Sequence, residues 1–125
     1  QAAMTGASAE EQAFLNGLLR TMKAVAGLVG RYRNEALRQG NLVVADILAR
    51  IPEEGAATFH EALQFFRILH FTLWLEGEYH NTIGRFDLQM NSFLDADLTS
   101  GRLDEASAFE LLLEFFLSFN KDSNL

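Results

Sequence analysis

Residues 58–77 read TFHEALQFFRILHFTLWLEG, and this segment gives the strongest indication of the fold class. Thr58, followed three residues later by Glu61, has the pattern of a capping box, in which each side chain satisfies a free amide at a helix start. The residues behind it are apolar on almost every side of the predicted helix: Leu63, Phe65, Phe66, Ile68, Leu69, Phe71, Leu73, Trp74 and Leu75. A helix that is apolar all round has to be buried. The stretch therefore predicts a long buried helix from Phe59 to about Gly77.

A membrane span is the alternative for this stretch. A span needs about 20 predominantly apolar residues. The run is interrupted by five charged or polar residues, namely Glu61, Gln64, Arg67, His70 and Glu76. We therefore expect a buried helix and no membrane partner.

Two helices are predicted before this stretch. Ser8 and Glu11 form an earlier capping box, and the helix behind it should run to Gln39, with Gly40 as its stop. Its apolar residues recur in steps of three and four: Phe14, Leu18, Met22, Val25, Val29, Tyr32 and Ala36. Three glycines inside this helix each cost about 1 kcal/mol relative to Ala. A kink or a close helix contact near residues 27–30 would explain them. Residues 42–50 form a second, shorter helix.

Two further helices are predicted after the central stretch, at residues 86–94 and after Asp104, which has the residue type of an N-cap. The last one is again strongly apolar, with Phe109, Leu111, Leu112, Leu113, Phe115, Phe116, Leu117 and Phe119. The connections are expected at residues 53–57, 79–84 and 95–102. The pattern as a whole predicts an all-α fold, a bundle of about five helices of which two are long and strongly apolar.

The composition agrees with one domain over residues 1–125. The 125 residues are 49% hydrophobic and 22% charged, which is typical of a packed globular protein. The net charge of -7 argues against nucleic acid as a partner, because phosphate binding depends on clustered cations. The absence of cysteine excludes disulfides, thiolate metal sites and thiol nucleophiles from this sequence. No signal peptide is apparent before Ser8.

Several clusters of polar residues could indicate a metal site or a catalytic site, but their spacing does not support either. His60, His70 and His80 are evenly spaced, yet ten helical residues put the first two about 15 Å apart, too far to share one metal ion. Residues 95–106 resemble an EF-hand loop at three ligand positions, but lack its central Gly and its final Glu, so a solvated turn is expected. Glu76 and Glu78 near His80 are interpreted as a polar helix end, and the five cations of the first helix as a solvated or salt-bridged outer face. We predict no metal site and no cofactor.

Other motifs resemble a known family. They are the stretch from Thr58 to Gln64, His70, Gly84-Arg85-Phe86-Asp87, Asp97, Gly101-Arg102-Leu103 and Glu110-Leu111-Leu112. In this order they resemble the interior of the glycyl radical enzymes, the pyruvate formate-lyase-like family, and the resemblance spans nearly the whole chain. The family commonly continues Gly-Arg-Phe-Asp with Gln-Tyr and then a proline, where this sequence has Leu88, Gln89 and Ser92. His70, Gly84, Arg85, Phe86 and Asp87 are thus family-motif positions without an assigned role.

The resemblance implies a radical enzyme that this chain alone cannot form. Members of the family place a radical on a glycine in a C-terminal loop and pass it to a cysteine, and the sequence contains neither part. No catalytic residue is therefore expected in it. The resemblance implies a non-catalytic helical portion that packs outside a ten-stranded barrel. The full-length protein would be an anaerobic radical lyase or acyltransferase of the cytoplasm, activated by a radical S-adenosylmethionine activase.

A helical portion without its barrel should expose apolar faces, so we expect it to form a homo-oligomer, with exchange of helices between copies as one form. Two other hypotheses remain open. One is a stand-alone oligomerisation or protein-interaction module that uses the helices at residues 59–75 and 109–119. The other is a small-molecule-binding bundle with a pocket near His70, Trp74, Tyr79 and Arg85.

Overall fold

The computed structural model describes residues 8–124, and the regular structure of that part of the chain is helical throughout. Five α-helices follow one another and a short 3-10 turn closes the series: α1 (Ala9–Arg38), α2 (Leu42–Arg50), α3 (Phe59–Leu75), α4 (Phe86–Thr99), α5 (Glu105–Ser118) and the 3-10 turn (Phe119–Asn124). The prediction of an all-α fold with about five helices is confirmed.

The helix starts are where the sequence predicts them. Ser8 donates its N–H to Glu11 Oε2 at 2.7 Å and its hydroxyl accepts the Glu11 N–H at 3.3 Å, which completes the first capping box. Thr58 and Glu61 form the same reciprocal pair at the start of α3. Asp104 caps α5 through a 2.8 Å bond from a backbone amide three residues on. These contacts join neighbouring residues, which is why the sequence alone reveals them.

The end of α4 differs from the prediction. The expected connection over residues 95–102 is wrong in its first half, because α4 continues to Thr99 and only Gly101, with φ of 71°, turns the chain. The reason is Asp97, whose side chain is buried rather than solvated. Its carboxylate accepts the Phe59 N–H at 2.8 Å and pairs with Arg102. The interpretation of this region as a solvated turn is therefore also wrong.

The chain divides into two compact units between Ala49 and Arg50. In the second unit α3 is the central element, since it contacts both α4 and α5. Its core consists of six buried residues from the three helices: Phe59, Ala62, Leu63, Met90, Ala108 and Phe115. The ring contacts from Phe66 to Phe115 and from His70 to Phe119 advance along both helices together, so α3 and α5 run parallel. Their C-terminal ends consequently lie at the same end of this unit.

The glycines of α1 have no packing role within the described residues. A Cβ atom added at Gly17, Gly27 or Gly30 would meet nothing within 4 Å. The close helix contact expected near residues 27–30 is therefore not present in this part of the chain. At these positions glycine therefore only lowers the stability of α1, through its entropic cost in a helix.

We expect the double substitution Gly17→Ala with Gly27→Ala to stabilise α1. Each alanine should contribute roughly 1 kcal/mol, because it removes backbone freedom from the unfolded chain and fits into open space. Urea unfolding followed by circular dichroism measures the effect. Gly101→Ala is the control and should destabilise, because its positive φ disfavours a Cβ atom. A loss of stability in the double variant would show instead that this side of α1 is covered by a partner.

Candidate functional site

A cleft of about 780 Å³ opens at the C-terminal end of α3, within the second unit. Its lining combines aromatic, aliphatic and polar side chains: His70, Trp74, Leu75, Tyr79, Asn81, Ile83, Phe119 and Asp122. Three of the four residues that the small-molecule hypothesis placed together, His70, Trp74 and Tyr79, meet here. The fourth, Arg85, is not part of the lining.

The local geometry at the end of α3 explains how His70, Trp74 and Tyr79 come to form one wall of the cleft. His70 and Trp74 lie one turn apart on α3 and so share a face of the helix. The helix ends at Leu75, and Gly77, with φ of 93°, turns the chain. After the turn the Tyr79 ring packs edge to face against the Trp74 ring at a centroid distance of 5.4 Å. The turn thus brings a second aromatic ring to the mouth of the cleft.

The His70 imidazole is held in a fixed orientation. Its ring stacks on Phe66 at 6.4 Å and meets the edge of Phe119 at 4.8 Å. Its Nε2 lies 3.4 Å from the carbonyl oxygen of Asn81. Because a carbonyl oxygen only accepts hydrogen bonds, Nε2 is the donor in this contact. Nδ1 is buried and has no hydrogen-bond partner among the described residues.

Arg67 fixes the floor of the cleft. Its Nη2 donates to Asp122 Oδ1 at 2.6 Å and its Nε donates to the Ser118 hydroxyl at 2.7 Å. The guanidinium also lies 4.8 Å from the centroid of the Phe119 ring, within the range of a cation–π contact. These contacts bind the 3-10 turn to α3. Phe119 and Asp122 are therefore positioned by a residue that does not itself line this cleft.

A second cleft, of about 600 Å³, lies on another side of α3 and α5. It includes His60, Gln64, Arg67, Glu114 and Lys121. Burial lowers the pKa of His60 below its ordinary value of 6.5, and the nearby carboxylate of Glu114 partly opposes this shift. The imidazole is therefore neutral in the folded chain near neutral pH. The charged groups of its lining are the carboxylate of Glu114 and the cationic side chains of Arg67 and Lys121, so this cleft has no clear preference for a ligand of either charge.

The lowered pKa of His60 predicts a pH dependence of stability. The unfolded chain takes up a proton near pH 6.5 while the folded chain resists it, so this contribution is complete above pH 6.5 and is lost as the pH falls through the lower folded pKa. We expect the NMR titration midpoint of His60 to lie below 6.5. Glu114→Gln should lower it further, because it removes the opposing charge. A midpoint at or above 6.5 in the unmodified chain would contradict the burial of this ring.

Two buried carboxylates lie at the other end of α3 and serve the fold. Glu61 accepts the amide of Ala57 at 2.8 Å and forms an ion pair with Arg50. Asp97 accepts the amide of Phe59 and pairs with Arg102. Both acids thus satisfy backbone donors at the helix start, where the helix dipole also favours negative charge. Their hydrogen bonds account for their burial without a catalytic role.

The Gly84-Arg85-Phe86-Asp87 motif separates into a buried and an exposed part. The Phe86 ring stacks on Phe115 at 5.0 Å and contacts Phe66 at 5.8 Å, so it belongs to the aromatic core. Arg85 and Asp87 are exposed and form a bidentate pair at 3.0 and 2.8 Å. The Arg85 guanidinium lowers the pKa of the Asp87 carboxyl. This pairing is what directs Arg85 away from the cleft predicted to contain it.

The three histidines are distributed as their spacing suggests. His60 belongs to the second cleft, His70 to the first, and His80 is exposed in the loop after α3. Within residues 8–124, no group of three or more metal-ligating side chains comes together. Nor does any helix in the same stretch have the length and apolar character needed to cross a membrane.

Comparison with known proteins identifies the family. A family model described as pyruvate formate lyase-like matches residues 1–125. Trans-4-hydroxy-L-proline dehydratase of Clostridioides difficile is 30% identical over 89 residues, which are 70% of this chain and 11% of that protein. Isethionate sulfite-lyase of Nitratidesulfovibrio vulgaris is 33% identical over 95 residues, which are 74% of this chain and 12% of that protein. No solved structure matches significantly.

The chain thus spans only about an eighth or a ninth of the length of the curated relatives it matches. The family match covers both compact units, and the motifs that suggested it lie mainly on α3, α4 and α5. This chain therefore belongs to the pyruvate formate lyase-like family of glycyl radical enzymes.

Proposed function

We propose that this chain is a non-catalytic helical part of a glycyl radical enzyme, acting as one domain that packs against the remainder of a longer polypeptide. The observation that carries the proposal is chemical. The family's radical chemistry needs a cysteine, and the 125 residues contain none. The full-length enzyme would be an anaerobic radical lyase or acyltransferase of the cytoplasm, activated by a radical S-adenosylmethionine activase.

The uncovered apolar surface supports a packing role. On α3 and α5 seven large apolar side chains are between 45% and 66% exposed: Leu69, Leu73, Leu75, Phe109, Leu113, Phe116 and Leu117. Burying apolar surface contributes roughly 25 cal/mol per Å², so covering even a few hundred Å² would favour association by several kcal/mol before entropic losses. Surfaces of this kind are typical of contact sites with another protein body. In the full-length enzyme we expect the barrel to cover them.

The polar interior supports the same role. Glu61, Asp97 and Arg67 are the charged groups most involved in buried contacts, and each is engaged with backbone amides or with an oppositely charged side chain. A catalytic acid or base has to exchange a proton with a substrate in reach of it. Groups that are committed to holding helices together are poorly suited to that task.

Electron paramagnetic resonance tests the proposal directly. The purified chain is incubated anaerobically with S-adenosylmethionine and a radical S-adenosylmethionine activase. The full-length hydroxyproline dehydratase, treated in parallel with its own activase, is the positive control. We expect an organic radical signal from the control and none from this chain. A stable glycine-centred signal on the 125-residue chain would contradict the assignment as a non-catalytic part.

The exposed faces equally favour an alternative, in which the chain acts alone as a homo-oligomeric interaction module. Sedimentation at micromolar concentrations tests it. A dimer or larger species that dissociates when Phe109 and Leu113 are both replaced by Ser would support self-association through α5. Replacement of exposed Thr82 by Ser is the matched control. A monomer at all concentrations would remove the alternative and would leave the packing role in the longer enzyme.

A further inference from the structure

The cleft at the end of α3 has features that the packing role does not use, and we propose that it binds a small organic ammonium ion. The proposal is independent of the proposed function, because it concerns only side chains of this chain. It starts from the lining: the rings of Trp74 and Tyr79 and the buried Asp122 carboxylate face a space of about 780 Å³ that contains no lysine or arginine side chain in its described wall, while the Phe119 ring is already engaged by the Arg67 guanidinium. The volume is within the range of pockets for small molecules.

The backbone makes this space negative. Residues at the last turn of α3, Trp74 and Leu75, line the cleft, and so does Phe119, the C-cap residue of α5. The C-terminal end of a helix carries about half a negative charge from its free carbonyl groups. α3 has no basic residue in its last turn to offset that charge, whereas at the end of α5 the Arg67 guanidinium donates to the Ser118 carbonyl oxygen and offsets it. The end of α3 is therefore the backbone group that contributes negative charge to the cleft.

Three acidic side chains add to the negative potential of the cleft by different amounts. Asp122 is buried in the wall, but its ion pair with Arg67 offsets most of its charge. Glu76 and Glu78 follow directly after α3 and are exposed, so solvent and salt screen them. None of these acids would bind a cation strongly alone. The end of α3 and the acids together nevertheless favour a cationic ligand over a neutral or anionic one.

The aromatic rings distinguish an organic ammonium ion from a metal cation. Trp74 and Tyr79 meet edge to face and present ring surface at the mouth, and Tyr79 is 65% exposed. An ammonium or alkylammonium group over such rings is attracted by their electron-rich faces, and tryptophan is the best of the aromatic residues for this contact. A metal ion would need several oxygen or nitrogen ligands in close geometry, and no such group occurs within residues 8–124.

The single tryptophan of the sequence provides the first test. Tetramethylammonium chloride is titrated into the full 125-residue chain at constant ionic strength, while the fluorescence of Trp74 and the NMR signals of the Tyr79 ring are followed. We expect saturable changes with a Kd of about a millimolar. tert-Butanol, which is uncharged, and potassium acetate should give no saturation in the same range. Equal binding of tert-butanol, or no saturable binding of the ammonium ion, would overturn the proposal.

Two variants locate the site. Tyr79→Leu keeps an apolar side chain at an exposed position and should weaken tetramethylammonium binding by about five-fold, because a cation–π contact is lost. Trp74→Leu should weaken it at least as much, measured by NMR since the fluorophore is removed. Phe109→Leu replaces an exposed ring outside the cleft and should leave the Kd unchanged. Unchanged binding in Tyr79→Leu, with a folded circular dichroism spectrum, would contradict the assignment.

Discussion

Phe115→Ala is expected to lower the free energy of unfolding by about 4 kcal/mol. The Phe115 side chain is buried in the core of the second unit and belongs to α5. It contacts four other aromatic rings at centroid distances between 5.0 and 5.8 Å, those of Phe66, Phe86, Phe116 and Phe119. Truncation removes these contacts and leaves a cavity between α3, α4 and α5 that the helices cannot close fully.

Urea unfolding followed by circular dichroism measures this loss. Phe109→Ala is the matched control, because Phe109 lies on the same helix but is 66% exposed. Its truncation should change the stability of the single chain little. A loss below about 1 kcal/mol for Phe115→Ala would mean that the aromatic cluster is not the core, since buried Phe truncations cost more. A large loss for Phe109→Ala would show that α5 is covered by another body under the conditions used.

Glu61→Ala is expected to cost about 3 kcal/mol, because it leaves a buried helix start without its acceptor. The side chain is only 2% exposed. It accepts the amides of Ala57 and Thr58 and pairs with Arg50. The estimate is at the low end for a broken buried pair, because Arg50 is half exposed and can be hydrated again.

Chemical unfolding of the Glu61→Ala, Arg50→Ala and Glu35→Ala variants separates the ion pair of Glu61 from its hydrogen bonds to backbone amides. Arg50→Ala removes only the ion pair and should cost less than Glu61→Ala, because both amide bonds to the carboxylate remain. Glu35→Ala breaks an exposed pair with Arg38 on α1 and should have no measurable effect. If Glu61→Ala were as harmless as Glu35→Ala, the capping role of the buried carboxylate would be refuted.

The two carboxylates at the start of α3 show what the sequence could and could not predict. The capping role of Glu61 is visible in the sequence because its partner, Thr58, is three residues away. The role of Asp97 is not, because the amide it accepts belongs to Phe59, 38 residues earlier. A local pattern of acids and a hydroxyl therefore suggested a solvated turn. The tertiary contact is what extends α4 to Thr99 and buries the acid.

The residues of the candidate site likewise fall into those that the sequence predicts and those that it does not. His70 and Trp74 are predictable neighbours because one helical turn separates them, and Tyr79 follows after a glycine turn. The sequence does not predict Phe119 and Asp122 as part of the site, because they belong to the 3-10 turn after α5 and reach the cleft through the packing of α5 on α3 and the contacts of Arg67. Arg85, the fourth residue of the predicted pocket, does not line the cleft. Its ion pair with Asp87, two residues on, competes for the guanidinium.

We propose that these helices are scaffold for a larger radical enzyme and supply none of its reacting groups. Reading the gene through the codon for Leu125 distinguishes this role from that of a stand-alone module. We predict an open reading frame that continues into one segment with a cysteine loop and a later one with a glycine loop, in a polypeptide several times longer than 125 residues. A stop codon immediately after Leu125, with the chain found at this length in cells, would contradict the account and favour the stand-alone module.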